Sequence, residues 1–187
     1  MIILIGGESC TGKTKFAYEL MSRFCIPYLS IDILMMGIFR NNNNCGYTPL
    51  DSVNKINDYI WPIVNEMIKT NIENNTNYIY EGFQIRPKQI NQLEKKYRKH
   101  IFPIFLLFST QYIEENYLII KEKRSIIEER NDIDSLDLMI EKNEIIKSEC
   151  QQENQKFYCI KKQYINEIEE IYQEVTNKLR KYQLTIA

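Results

Sequence analysis

A chain of 187 residues has room for one domain with a substantial buried core. With 24 Lys and Arg against 25 Asp and Glu, the net charge of −1 argues against a global positive field that would hold nucleic acid or an anionic membrane, so any anion site is local. Five scattered cysteines, Cys10, Cys25, Cys45, Cys150 and Cys159, are odd in number and form no CxxC pair, which argues against a disulfide framework or a zinc site.

In chain order, the apolar run Met1–Ile5 predicts a strand buried on both faces. A glycine-rich loop and a helix over about 13–24 follow, then a short strand over Ile26–Ser30 and an Asn41–Asn44 surface loop. Thr48 as N-cap, Pro49 at the first helical position and Asp51 in the first turn predict a helix with the apolar face Val53, Ile56, Ile60, Val64, Met67 and Ile68. Pro62 falls inside it and is expected to kink or divide it.

A third strand is expected over Asn77–Gly82, a helix over Pro87–Arg98 and a fourth strand over Ile101–Phe108. That last run is the longest strongly apolar stretch and is too short to span a bilayer. No secretory leader is recognised at the N-terminus, and with reduced thiols the expectation is a cytoplasmic protein. Two or three charged helices then fill 112–154, and Lys156–Ile160 is a fifth strand. The last helix sets Tyr164, Ile168, Ile171, Val175, Leu179 and Tyr182 on one stripe, docked on the sheet or, less simply, forming a coiled-coil seam. The alternation of strands and helices makes one three-layer α/β domain over 1–187 with a five-stranded, mainly parallel sheet.

The first loop carries the chemistry. Gly7, Glu8, Ser9, Cys10, Thr11, Gly12, Lys13 and Thr14 match G-x-x-x-x-G-K-[ST] between a predicted strand and a predicted helix. The two glycines permit positive φ, so that successive amides turn inward as an anion nest, and the helix N-terminus adds partial positive charge. Lys13 would reach the β- and γ-phosphates, and the Thr14 hydroxyl would ligate Mg2+. A guanine-binding Asn-Lys-x-Asp segment is missing: Asn54-Lys55 runs on into Ile56-Asn57, and Asn177-Lys178 into Leu179-Arg180, which disfavours a GTPase.

With that motif, the chain resembles the P-loop kinase superfamily of small phosphotransferases over essentially its whole length. The segment "IDILMMGIF" after the second strand is similar to the acceptor side of the 2-phosphoglycerate kinase-like, zeta-toxin-like and chloramphenicol phosphotransferase-like kinases. By that resemblance Asp32 is the base or orienting carboxylate at the acceptor hydroxyl; the plain alternative is that it caps a helix beginning at Ile33. "YIYEGFQIRP" resembles the Asp-Gly-Phe-Pro-Arg segment of adenylate kinases, which implies Glu81 near Mg2+ and Arg86 on an acceptor phosphate, one residue late. Arg40 is a further acceptor-side candidate, although it stands far from Asp32 for the adenylate kinase pattern. The superfamily also carries lid arginines, for which "KEKRSIIEERND" offers Arg124 and Arg130 in a lid over about 121–134. The acceptor-binding insertion is placed at about 33–75.

The resemblance implies a P-loop NTPase of the nucleoside and shikimate kinase type that uses ATP and Mg2+ to phosphorylate a hydroxyl of a small molecule, with no nucleic-acid or membrane partner, as a monomer or homodimer. Two alternatives stand beside it: a nucleoside monophosphate kinase, and a nucleotide-binding regulator without transfer activity.

Overall fold

The computed structural model describes residues 1–122 and 135–186. Five strands, β1 (Ile2–Gly7), β2 (Tyr28–Ser30), β3 (Tyr78–Glu81), β4 (Ile101–Phe108) and β5 (Phe157–Ile160), form one sheet in the order β2-β3-β1-β4-β5. Every pairing is parallel, with Ile2 opposite Tyr78 on one side and Ile101 on the other. β5 joins β4 only from Phe105 onward, so Pro103 precedes that ladder and needs no β5 partner for the N–H it lacks.

β1 is central and buried along its whole length. Its alternating side chains feed two cores, as the period of a strand requires. Ile3 and Ile5 pack with Phe16, Ala17 and Leu20 of α1 (Lys13–Phe24) and with Ile171, Val175 and Leu179 of α8 (Tyr164–Ile186). Ile2 and Leu4 pack on the other face with α2 (Ile31–Asn41), α3 (Val53–Glu73) and Ile146 of α7 (Leu136–Gln152). The result is the expected three-layer architecture. The stripe on α8 is a docking face on the sheet, since Tyr164 and Ile168 join the same cluster; the side chain of Tyr182 lies outside the described residues.

Asn143 of α7, itself buried, accepts from the Phe108 amide at 3.1 Å and donates to the Phe108 carbonyl at 2.6 Å. It thus satisfies both backbone groups at the end of β4 and fixes α7, which packs on α6 (Thr110–Glu122), to the sheet.

Several local expectations are corrected. α3 starts at Val53, with Ser52 rather than Thr48 as N-cap: the Ser52 hydroxyl accepts from Lys55 N–H at 3.4 Å. Thr48 and Asp51 instead close a turn on each other, the Thr48 amide to Asp51 Oδ2 at 2.7 Å and the Asp51 amide to the Thr48 carbonyl at 3.1 Å. Pro62 does not divide α3; it lies on the exposed side, where the carbonyl of Asp58 that it leaves unpaired is on an exposed residue. The Pro87–Arg98 helix is two short ones, α4 (Pro87–Gln92) and α5 (Lys95–Arg98), because the chain extends at Leu93 and Glu94 so that both Leu93 and Tyr97 are buried. α2 begins at Ile31 behind Ser30, so Asp32 sits in its first turn and is not the N-cap.

Chain direction reverses across the sheet between β1 and β3: the chain leaving β1 runs outward to β2, and the chain leaving β3 returns to β4 on the opposite side. Such a switch point opens a crevice at the carboxyl ends of the strands. The register brings Ile5, Glu81 and Ser30 into one row there.

Candidate active site

The loop between β1 and α1 has the backbone its glycines permit. Gly7 has φ 136° and Gly12 φ 88°, both in the region that side chains resist. A Cβ on Gly7 would stand 2.2 Å from the Leu106 carbonyl oxygen. Cys10 also has positive φ, 64°, a conformation the sequence pattern did not anticipate for it. α1 has no side-chain N-cap and no acidic residue in its first turn, so no carboxylate of its own first turn opposes an anion at its N-terminus. The Glu8 carbonyl organises the loop by accepting from Thr11 Oγ1 at 2.8 Å and from Lys13 Nζ at 2.7 Å. Lys13 thus rests folded back over its own loop, buried, and would leave Glu8 to reach a phosphate.

At the mouth of β3, Glu81 is 3% exposed. The Thr14 hydroxyl donates to its Oε1 at 3.3 Å, and the Ser30 hydroxyl at the end of β2 also bonds it. Burial pushes the Glu81 carboxyl above its ordinary value; the Ser30 bond, the Lys13 charge and the Thr14 bond pull it down, while Asp32 nearby pushes it up. Thr14 and Glu81 are hard oxygen donors side by side, the type of set Mg2+ takes when nucleotide phosphates and water complete its shell. Among the described residues no group of three or more His, Cys, Asp or Glu is placed to hold a metal ion.

Asp32, half-buried in the first turn of α2, accepts from Gln84 Nε2 at 2.8 Å through Oδ1. Gln84 is wholly buried, and Asn57 Nδ2 on α3 donates to its backbone carbonyl at 2.8 Å. Neither amide was singled out from sequence. The signals were there: Asn57 interrupts the apolar stripe of α3, and Gln84 stands between two apolar residues of a short polar-capped segment, Phe83 and Ile85.

A third missed residue is Tyr164. A Cβ on Gly12 would lie 1.7 Å from its hydroxyl oxygen, so the phenol rests directly on the loop, its ring edge-on to Phe108 with centroids 6.3 Å apart. Burial pushes its hydroxyl up, with the charges of Tyr112 and Glu19 adding to the effect. The contact spans most of the chain, and no local pattern announces it.

Arg86 and Arg40 are placed as follows. Arg86 is buried, but its Nε and Nη2 donate to Glu149 Oε2 and Oε1 at 2.7 and 2.6 Å, a two-pronged pair with α7. In this structure the guanidinium is thus held by Glu149, where the resemblance implied a contact to an acceptor phosphate. Arg40 is exposed in the last turn of α2, about 12 Å along the axis from Asp32 in the first. Arg124 and Arg130 lie outside the described residues. None of the five cysteines forms a disulfide among the described residues, and no helix of the described residues is long and apolar enough to cross a membrane.

No family model and no curated protein matches this sequence. Solved structures match it in fold. Shikimate kinase from Bacteroides thetaiotaomicron superposes with a TM-score of 0.57 at 15% identity, covering 96% of this chain and 98% of that one. Deoxyadenosine kinase from M. mycoides gives 0.56 at 13% identity over 97% and 100%. A gluconokinase from Sinorhizobium meliloti gives 0.53 at 11% identity over 98% and 95%. The chain therefore has the α/β fold of the P-loop small-molecule kinases.

Proposed function

We propose that the protein is an ATP- and Mg2+-dependent phosphotransferase that moves the γ-phosphoryl group to a hydroxyl of a small molecule. One observation carries the reading: a carboxylate suited to an incoming hydroxyl, Asp32, and an oxygen pair suited to a metal, Thr14 with Glu81, meet beside an uncapped phosphate loop at the switch point of the sheet. The fold neighbours named for shikimate, gluconate and deoxyadenosine phosphorylation support it at the level of fold.

In the reaction, the acceptor oxygen forms a bond to the γ-phosphorus as the bond to the β,γ-bridging oxygen breaks, and the acceptor proton passes to Asp32 or solvent. ADP and a phosphorylated alcohol result. The loop amides and Lys13 hold the phosphates, Asp32 aligns the attacking oxygen, and Thr14 and Glu81 would hold Mg2+, which supplies charge neutralisation across the β- and γ-phosphates. Arg124 and Arg130 are proposed as lid cations, and Arg40 as a peripheral acceptor contact. Arg86, paired with Glu149, is proposed as structural, which favours an acceptor other than a nucleoside monophosphate.

The test is an ATP-consumption and thermal-shift screen with Mg·ATP against sugar acids, polyols, nucleosides and nucleoside monophosphates. The expected result is a hydroxyl acceptor that accelerates ADP release in wild type and fails to do so in Asp32→Asn, with ATP binding retained. Asp32→Asn turning over as fast as wild type would remove Asp32 from the reaction, and a wild type indifferent to Mg·ATP would end the proposal.

A further inference from the structure

Gln84 is wholly buried, yet one end of its amide is unsatisfied among the described residues: Nε2 donates to Asp32 Oδ1 at 2.8 Å while Oε1 has no hydrogen-bond partner there. A buried acceptor left without a donor destabilises a fold, so packing alone does not explain a glutamine at this position. The backbone is held from outside the site by Asn57 Nδ2 on the Gln84 carbonyl, and the neighbouring chain makes room for the side chain. A Cβ on Gly82 would stand 2.4 Å from Gln84 Oε1 and 3.2 Å from Ile31 Cβ. α3, the β3–α4 segment and α2 are thereby linked in series, and the series ends on one oxygen of Asp32.

We infer that Gln84 is a positioning residue that fixes Asp32 for the attacking hydroxyl by holding Oδ1 through Nε2. The inference rests on the phosphotransferase reading and deepens it by stating what holds its aligning carboxylate in place. Gln84 itself touches no reacting atom. Methionine has nearly the same length and shape, and Gln84→Met removes both the donor to Asp32 and the orphaned oxygen. The substitution therefore separates positioning from folding: stability holds or rises while turnover falls.

The experiment measures steady-state hydrolysis of Mg·ATP, with water as the acceptor, in wild type, Asp32→Asn, Gln84→Met and the double variant, together with melting temperature and the side-chain amide resonances of Gln84. Gln84→Met should lower kcat on the order of 10- to 100-fold, the range for a reactive group displaced by about an ångström, with KM for ATP within about twofold. Its melting temperature should fall by no more than about 2 °C. The double variant should be no slower than the slower single variant, because both changes act through one carboxylate. Gly82→Ala, which displaces the Gln84 amide without removing it, should lose activity in the same direction.

Wild-type turnover in Gln84→Met, losses that multiply in the double variant, or a fall in melting temperature that parallels the fall in rate would overturn the inference. A wild type that does not bind Mg·ATP refutes the phosphotransferase reading instead. Where ATP binds but water is not used, the amide resonances decide: the Gln84 NH2 pair should lie outside the ordinary side-chain range in wild type and return to it in Asp32→Asn, and identical spectra for the two proteins refute the positioning role.

Discussion

Removing the Glu149 carboxylate tests whether Arg86 belongs to the fold or to the acceptor. The guanidinium side chain is 10% exposed and the carboxylate 32%, with two near-parallel bonds between them. Glu149→Leu leaves the guanidinium buried without its counter-ion, a change that costs about 3–5 kcal/mol in fully buried pairs. One third of the carboxylate already faces water, so some solvent can replace it, which places the expected loss near the lower bound, about 3 kcal/mol. For a domain of this size that is a fall in melting temperature of about 6–12 °C, and in urea a lower midpoint at unchanged slope. Replacing both partners, Arg86→Met with Glu149→Leu, should recover most of the loss, since an apolar pair of similar volume often matches a buried ion pair. Equilibrium unfolding followed by circular dichroism reads all three variants. A Glu149→Leu protein within about 1 kcal/mol of wild type, or a double variant as unstable as the single, would refute this reasoning. An arginine reserved for an acceptor phosphate would show the reverse pattern: little cost for Glu149→Leu and lost acceptor binding for Arg86→Met.

Lys13→Ala should cost the ligand-free protein about 1.5–3 kcal/mol, because the buried ammonium donates there to the Glu8 carbonyl of its own loop. It should also abolish the stabilisation by Mg·ATP, about 2.7 kcal/mol at a hundredfold excess over Kd; equal thermal shifts in both proteins would remove Lys13 from the site. Glu81→Gln should stabilise the metal-free protein at pH 8 and do so less toward pH 4. The folded carboxyl is raised by burial, so the native state holds the proton longer than the unfolded chain, and wild-type stability falls as pH rises through that window. A variant whose advantage is larger at pH 4 than at pH 8 contradicts this sign. Cys150, buried and pushed up to about 12, should resist alkylation at pH 8 while exposed Cys25 reacts; equal rates by mass spectrometry would contradict its burial.

What could be read from the sequence was local. Gly7 and Gly12 declare a backbone requirement within eight residues, and an apolar strand ending in Glu81 declares a carboxylate at its mouth. Even local signals failed where two structures satisfy the same groups: Thr48 and Asp51 serve a turn as well as a cap, and the helix waits for Ser52. The contacts that complete the site were out of reach for a different reason. Gln84 meets Asp32 across 52 residues, Arg86 meets Glu149 across 63, and Tyr164 reaches Gly12 from the far end of the chain. Each depends on the strand order β2-β3-β1-β4-β5, which the alternation of elements implies in class but not in sequence of neighbours. From sequence, Arg86 of "EGFQIRP" was a cation for an acceptor phosphate. Only the packing of α7 against the β3–α4 segment shows that Arg86 is already paired.

The same packing gives the site two opposed electrostatic demands. The uncapped N-terminus of α1 and its loop amides favour negative charge, whereas Glu81 and Asp32, one buried and one half-buried a few residues away in space, favour positive charge. Lys13 lowers the Glu81 carboxyl only in part, since burial still prevails, and on the proposed function it would turn from Glu8 to the phosphates of a bound nucleotide. Free ATP would satisfy the loop while setting its γ-phosphate charge against two carboxylates. A metal–nucleotide complex would satisfy both, with Thr14 and Glu81 toward the cation and the amides toward the phosphates. Thermal stabilisation by ATP should therefore require Mg2+ and vanish in EDTA, and Glu81→Gln should shrink the gap by easing the binding of free ATP. Equal stabilisation by ATP with and without the cation would mean that Glu81 does not face the nucleotide, and the assignment of the Thr14 and Glu81 pair would fall with it.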